Sequence, residues 1–279
     1  MIRRDDGQTF ILISQHDHAV LAGQVMACVG GRVFAVPTRH PVLTLATSLH
    51  DCGWPTHDDA PTLNDQGLPR DVFESTPSIG LSVWQASAER ATGHDPYAGL
   101  LVSLHSLSLS ILAASSGPSD GREDFDLTDP HVKFAVNKFQ HREIERQEDL
   151  RKAIGLRTDL PLLHGLADPG QDGREDLLAY HLRLLQAMDL ISLGLCCTKP
   201  PSARTRDVQP RVGAKALQLK LTRTNATTLH VSPWPFESPR LNFSVPMKRV
   251  PNQSYESQEA FGEVYARSPI EMLDVTVAS

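Results

Sequence analysis

The periodicity of apolar residues changes once along this chain, near residue 200. Up to Cys197 apolar residues recur three and four positions apart. Beyond Lys199-Pro200-Pro201 they alternate with polar ones. A period of 3.6 marks a helix and a period of 2 a strand, and neither pattern suits the other conformation. The chain is therefore expected to fold as a mainly α body over residues 1–199 and a small, antiparallel, β-rich extension over 200–279 packed on it.

Within the body, Leu21, Ala22, Val25, Met26 and Val29 predict a helix over residues 18–29, closed by Gly30-Gly31. Pro41 suits a first helical position, and the helix from there runs to about residue 51. Further helices are predicted over 79–91, 95–114, 131–154 and 174–197. Residues 9–14 read as one short strand that can join the sheet of the extension. Residues 53–70 and 115–130 hold the turn-forming residues of loops, and residues 169–173 those of a turn. In the extension, 217–222 and 228–231 alternate around Asn225 and predict a hairpin. Residues 241–245 and 274–277 are further strands, and 257–266 a short helix. Pro233-Trp234-Pro235-Phe236 breaks any ladder and is expected to wedge the sheet against the helices.

Bulk properties exclude several classes. The net charge of −6 argues against a nucleic-acid module or a basic membrane-surface protein. No run approaches the roughly 18 apolar residues of a membrane span, and the first residues lack the apolar core of a secretory signal. Cys28, Cys52, Cys196 and Cys197 form no CxxC pair. A reduced, cytoplasmic protein is the expectation. Glycine-rich nucleotide motifs, GxSxG and HExxH are absent.

Twelve histidines stand out in a chain with nine Phe and four Tyr. His18 opens the first long helix in Gln15-His16-Asp17-His18-Ala19. His50-Asp51 closes the second in His50-Asp51-Cys52-Gly53-Trp54. His105 and Asp189 lie inside apolar helical segments. A carboxylate buried there is costly unless a cation compensates it. Imidazole and carboxylate together suit zinc, iron or manganese rather than calcium. Asp17 reads most simply as a helix N-cap, with support of His18 as its functional alternative, shared by Gln15. Trp54, His57 and Asp58 lie in the following loop, where contact with substrate is set against a solvated loop. His141 is the reserve ligand.

A histidine, a His-Asp pair and a late aspartate on another helix resemble the HD-domain superfamily of helical metal-dependent hydrolases. The resemblance implies that His18, His50, Asp51 and Asp189 hold one divalent metal, with His105 as an extra ligand for a second. It implies phosphoester hydrolysis on a small molecule, or di-iron oxygen chemistry if two metals are held. A non-catalytic binding or assembly protein on an HD-like scaffold is the rival reading. The segments at His18, at His50, Asp95-Pro96-Tyr97-Ala98 with Ser103-Leu104-His105, and Pro233-Trp234-Pro235-Phe236 also resemble a bacterial family, domain of unknown function 3891. That resemblance covers most of the chain and implies architecture rather than a reaction.

Overall fold

The computed structural model describes residues 1–115, 125–157 and 173–279, with only the backbone described over 173–176. Most of the expected loop at 115–130 and of the turn at 169–173 lies outside the described residues. Two N-terminal strands, β1 (Ile2–Asp5) and β2 (Thr9–Ile13), lead into α1 (Gln15–Met26) and α2 (His40–Leu49). A single-turn α3 (Pro55–Asp58) interrupts the expected loop at 53–70, and a short 3-10 turn (Val72–Glu74) follows it. Three long helices follow: α4 (Pro77–His94), α5 (Pro96–Ser115) and α6 (Pro130–Ala153). After α7 (Gly173–Cys196) come β3 (Lys220–Arg223), β4 (Thr228–Ser232), β5 (Arg240–Pro251), α8 (Gln258–Arg267) and β6 (Ile270–Ala278).

The six strands form one sheet in the order β1-β2-β5-β6-β4-β3. This corrects the expectation of a mainly α bundle with an antiparallel tail: the architecture is mixed α and β. The sheet draws two strands from the N-terminus, not one, and β4 pairs with β6 in parallel. Alternation reveals that a segment is a strand but not which strand it meets. The extra strand is hidden because Ile2-Arg3-Arg4-Asp5 carries three charges in four residues. Arg4 is nonetheless buried. Its guanidinium donates to the Leu195 carbonyl at 3.2 Å. Arg223 on β3 donates to the carbonyls of Cys197 at 2.8 Å and of Gly194. Two sheet arginines thus satisfy carbonyls that the end of α7 leaves without helical partners.

One hydrophobic core joins the two parts, running from Leu101 and Leu104 of α5 through Leu185 and Met188 of α7 to Leu221, Leu229 and Val275 of the sheet. The change at residue 200 therefore divides helix from strand, while the core is continuous. The expected wedge is present: Phe236 bridges Val29 and is almost fully buried. Helix α5 has the length and hydropathy of a spanning helix, yet most of it is buried inside the protein, so it serves as the central core helix. All four cysteines are free.

Two close backbone approaches bring the histidine-bearing segments together. A Cβ on Gly23 of α1 would lie 1.8 Å from Ser48 Oγ of α2, and one on Gly53 would lie 2.1 Å from the Val83 carbonyl oxygen of α4. Only glycine lets α1 lie so close to α2, and lets the turn after His50-Asp51 seat on α4. Gly262 of α8 has open space around it. Gly53→Ala is expected to cost about 1–3 kcal/mol through overpacking. Gly262→Ala should be neutral or stabilise by up to about 1 kcal/mol. Urea unfolding of the two variants reads the contrast.

Candidate metal centre

Four helices supply the cluster. Helix α1 packs on α2 and α7, and α2 packs on α5. His18 sits one turn into α1, whose start is fixed by Ser14: its hydroxyl oxygen accepts from Asp17 N–H and it donates to Asp17 Oδ2 at 2.6 Å. Ser14, rather than Asp17, is therefore the N-cap. His50 is the C-cap of α2, and Asp51 lies in the turn that follows. His105 comes from the middle of α5 and Asp189 from α7.

The side chains converge. His18 Nε2 lies 3.3 Å from Asp51 Oδ2 and 3.7 Å from Asp189 Oδ1. His50 Nε2 lies 3.6 Å from Asp51 Oδ2 and 3.4 Å from Asp189 Oδ1. His105 Nε2 is 3.6 Å from Asp189 Oδ2, the other oxygen of that carboxylate. Four donors held 2.1 Å from one ion in a tetrahedron lie about 3.4 Å apart. Among the described residues, the groups with metal-binding spacing are His18, His50 and Asp51, and His50, His105 and Asp189. The five candidate ligands named from the sequence are thus brought to one place.

The hydrogen-bond network fixes two tautomers. Ser192 donates its hydroxyl proton to the His18 carbonyl at 2.7 Å, so its oxygen accepts from His18 Nδ1–H at 3.0 Å. A carbonyl only accepts, so His50 Nδ1 must donate to the Thr47 carbonyl, 2.7 Å away. In both neutral rings the lone pair therefore sits on Nε2 and faces two carboxylates. Lone pairs so placed repel carboxylate oxygens unless a cation stands between them. His50 Nε2 and both nitrogens of His105 are buried without a hydrogen-bond partner. These donors fit a transition metal.

Electrostatics agree. Burial works against a charged His50, but Asp51 and Asp189 outweigh it and raise its pKa to about 9. Burial pushes His105 down to about 4, against the pull of Asp189. Burial also favours the neutral acid at Asp189 and Asp51, yet the neighbouring histidines hold both below the usual carboxylate range. Two carboxylates carry two negative charges. One imidazolium neutralises half of that, and one divalent ion neutralises all of it.

Asp51 is 8% exposed and Asp189 14%, and with the histidines they line a cavity of about 200 Å³. Its walls are apolar: Val72, Phe73, Leu109, Leu112, and Trp84 stacked on Phe125. Of the second group named from the sequence, Gln15 and Trp54 line this cavity. Asp17 is tied to Ser14 instead of His18. His57 lies outside this cavity, with its ring against Trp54. Asp58 is buried, accepts from the backbone N–H of Gln15 at 2.8 Å and pairs with the Met1 ammonium at 3.0 Å. It therefore anchors the start of α1, and a solvated loop is the wrong picture for it. His141 is an exposed residue paired with Glu145, far too open to serve as reserve ligand.

Reading the sequence misses Ser192, although it follows Asp189 by three residues on α7 and so shares its face. It also misses the aromatic wall, because Trp84 reads as a packing residue of its helix and Phe125 falls in a segment that reads as a loop. Removal of a partner that orients a ligating histidine lowers metal affinity about 10–100-fold. Ser192→Ala should show that loss in competition with a chelating dye, with an unchanged far-ultraviolet circular dichroism spectrum.

No curated protein and no solved structure shows a significant match to the chain. A family model does match, over residues 1–252, and it is described as protein of unknown function (DUF3891). With nine-tenths of its length matched, and with the His18 and His50-Asp51 segments inside that span, the chain belongs to the DUF3891 family.

Proposed function

We propose that this protein is a metal-dependent hydrolase of a small molecule, working in a reducing compartment such as the cytoplasm. The observation that carries the reading is the pair of buried histidines whose Nδ1 atoms are engaged by Ser192 and the Thr47 carbonyl, so that Nε2 of each is aimed at the carboxylates of Asp51 and Asp189. His18, His50, Asp51 and Asp189 would hold one divalent transition ion, zinc, iron or manganese. When bound, such an ion supplies a water acidified toward neutral pH.

The remaining work falls to residues of the chain. Ser192 and the Thr47 carbonyl keep Nε2 of His18 and His50 aimed into the cluster. His105 stays neutral at pH 7 and stands beside the free oxygen of Asp189, where it can hold a water or a substrate group in place. The apolar walls lower the local dielectric, which strengthens each electrostatic interaction at the cluster.

A second reading has its own support. Asp189 turns Oδ1 to His18 and His50 and Oδ2 to His105, as a carboxylate shared by two ions would. Two irons there would allow oxygen chemistry on an HD-like scaffold. Among the described residues that second position has only His105 and Asp189 to offer, so one ion is favoured.

Protein purified without chelator is expected to hold about one divalent ion per chain, measured by inductively coupled plasma mass spectrometry. His50→Ala and Asp189→Asn should each lose most of it. Adding the ion to about 100 times its dissociation constant should stabilise chelated protein by about 2.7 kcal/mol. Metal content unaffected by His50→Ala removes the enzyme reading and leaves the non-catalytic one. Two irons per chain with oxo-bridge absorption select the oxygenase.

A further inference from the structure

The cavity carries information about what sits over the cluster. We propose that it takes an uncharged small molecule with a hydrogen-bond-accepting head, of the carbonyl class, and an apolar body the size of one ring. This deepens the proposed function and rests on it only for the reactivity of the head.

Three observations support the assignment. First, the described lining contains no lysine or arginine, while two carboxylates stand at one end. A phosphate or carboxylate on the ligand would find no lysine or arginine among the described residues, the charge on His50 is already matched by Asp51 and Asp189, and burying an unpaired charge is costly.

Second, two donors on this lining are without partners. Gln15 and Trp54 are 2% and 4% exposed, and neither Gln15 Nε2 nor Trp54 Nε1 has a hydrogen-bond partner. Buried donors are normally satisfied. Both residues flank the cluster in sequence, Gln15 preceding His18 by one helical turn and Trp54 following Asp51 in the same turn. Both atoms are closed off by their own side chains' packing, so a ligand that brings an acceptor to this end satisfies them once those side chains turn to meet it, and a neutral carbonyl oxygen has two lone pairs to give.

Third, the far end is kept clear. Gly80 lies within α4, where glycine costs about 1 kcal/mol relative to alanine. A Cβ there would meet Phe125 at 3.4 Å and the Trp84 ring at 3.5 Å. Alanine fits, so close packing does not require glycine. A longer side chain would fill the space between the aromatic wall and the cluster. The cavity of about 200 Å³ exceeds the roughly 150 Å³ that accommodates benzene in an apolar core, which leaves room for a ring and a short head.

Fluorine NMR titration of the full chain tests this with three probes: 4-fluorobenzamide, 4-fluorotoluene and 4-fluorophenyl phosphate. Each is measured on protein as purified and after chelation. The amide should bind both preparations, about tenfold or more tighter than the phosphate. Trp54→Phe and Gln15→Met should each weaken the amide about three- to tenfold and leave 4-fluorotoluene unchanged, which reports an intact pocket. Gly80→Leu should abolish binding of amide and toluene, and Gly80→Ala should retain both. Tighter binding of the phosphate than of the amide overturns the proposal, as does full amide binding by a Gly80→Leu variant with native circular dichroism. Metal content of the same samples separates the two readings. Amide selectivity in protein that never holds metal removes the metal centre alone. Phosphate preference in metal-loaded protein removes the substrate class alone.

Discussion

Two carboxylates sit beside three imidazoles in the interior of this protein, and two of those imidazoles, His18 and His50, are held with Nε2 toward them because Nδ1 is engaged elsewhere. That arrangement is the constraint on which the rest depends. Hydrogen bonding to Ser192 and to the Thr47 carbonyl removes the simplest escape, a ring turned so that N–H meets the carboxylate. Protonation of His50 relieves half of the charge, and a divalent ion relieves all of it. A cluster held this way contributes little to stability by itself. A buried cluster that adds so little to stability is best read as functional.

The surrounding fold holds four elements at fixed spacing. Gly23 lets α1 close on α2, which brings His18 beside His50. Gly53 lets the turn carrying Asp51 press onto α4. Helix α7, which carries Asp189 and Ser192, is tied at its end to the sheet by Arg4 and Arg223. The sheet therefore acts on the site at a distance, by anchoring the helix that supplies the shared carboxylate. Asp58 does the same for α1 through the N–H groups of Gln15 and His16.

Much of this is legible in the amino-acid sequence. Helical periodicity locates α1, α2, α4, α5, α6 and α7 to within a few residues, because each keeps an apolar stripe against the core. The five candidate ligands are legible as polar residues in or beside apolar segments, whose burial demands compensation. Strand partnership is not legible, since β1 hides its one buried charge, Arg4, among more exposed ones, and the parallel pairing of β4 with β6 leaves no local trace. Asp58 reads as a loop acid because its partners are backbone N–H groups and an ammonium, distant in sequence and without a side-chain signature. The aromatic wall escapes for a similar reason: packing residues and cavity residues have the same composition, and only their placement distinguishes them.

The central claim, that His18, His50, Asp51 and Asp189 hold one ion, is met most directly by anomalous diffraction at the absorption edge of the metal found in purified protein. Expected is a single strong peak about 2.0–2.2 Å from Nε2 of His18, Nε2 of His50, Asp51 Oδ2 and Asp189 Oδ1. A metal-bearing crystal whose peak lies elsewhere, or a cluster closed by direct imidazolium–carboxylate hydrogen bonds with no peak, would contradict it.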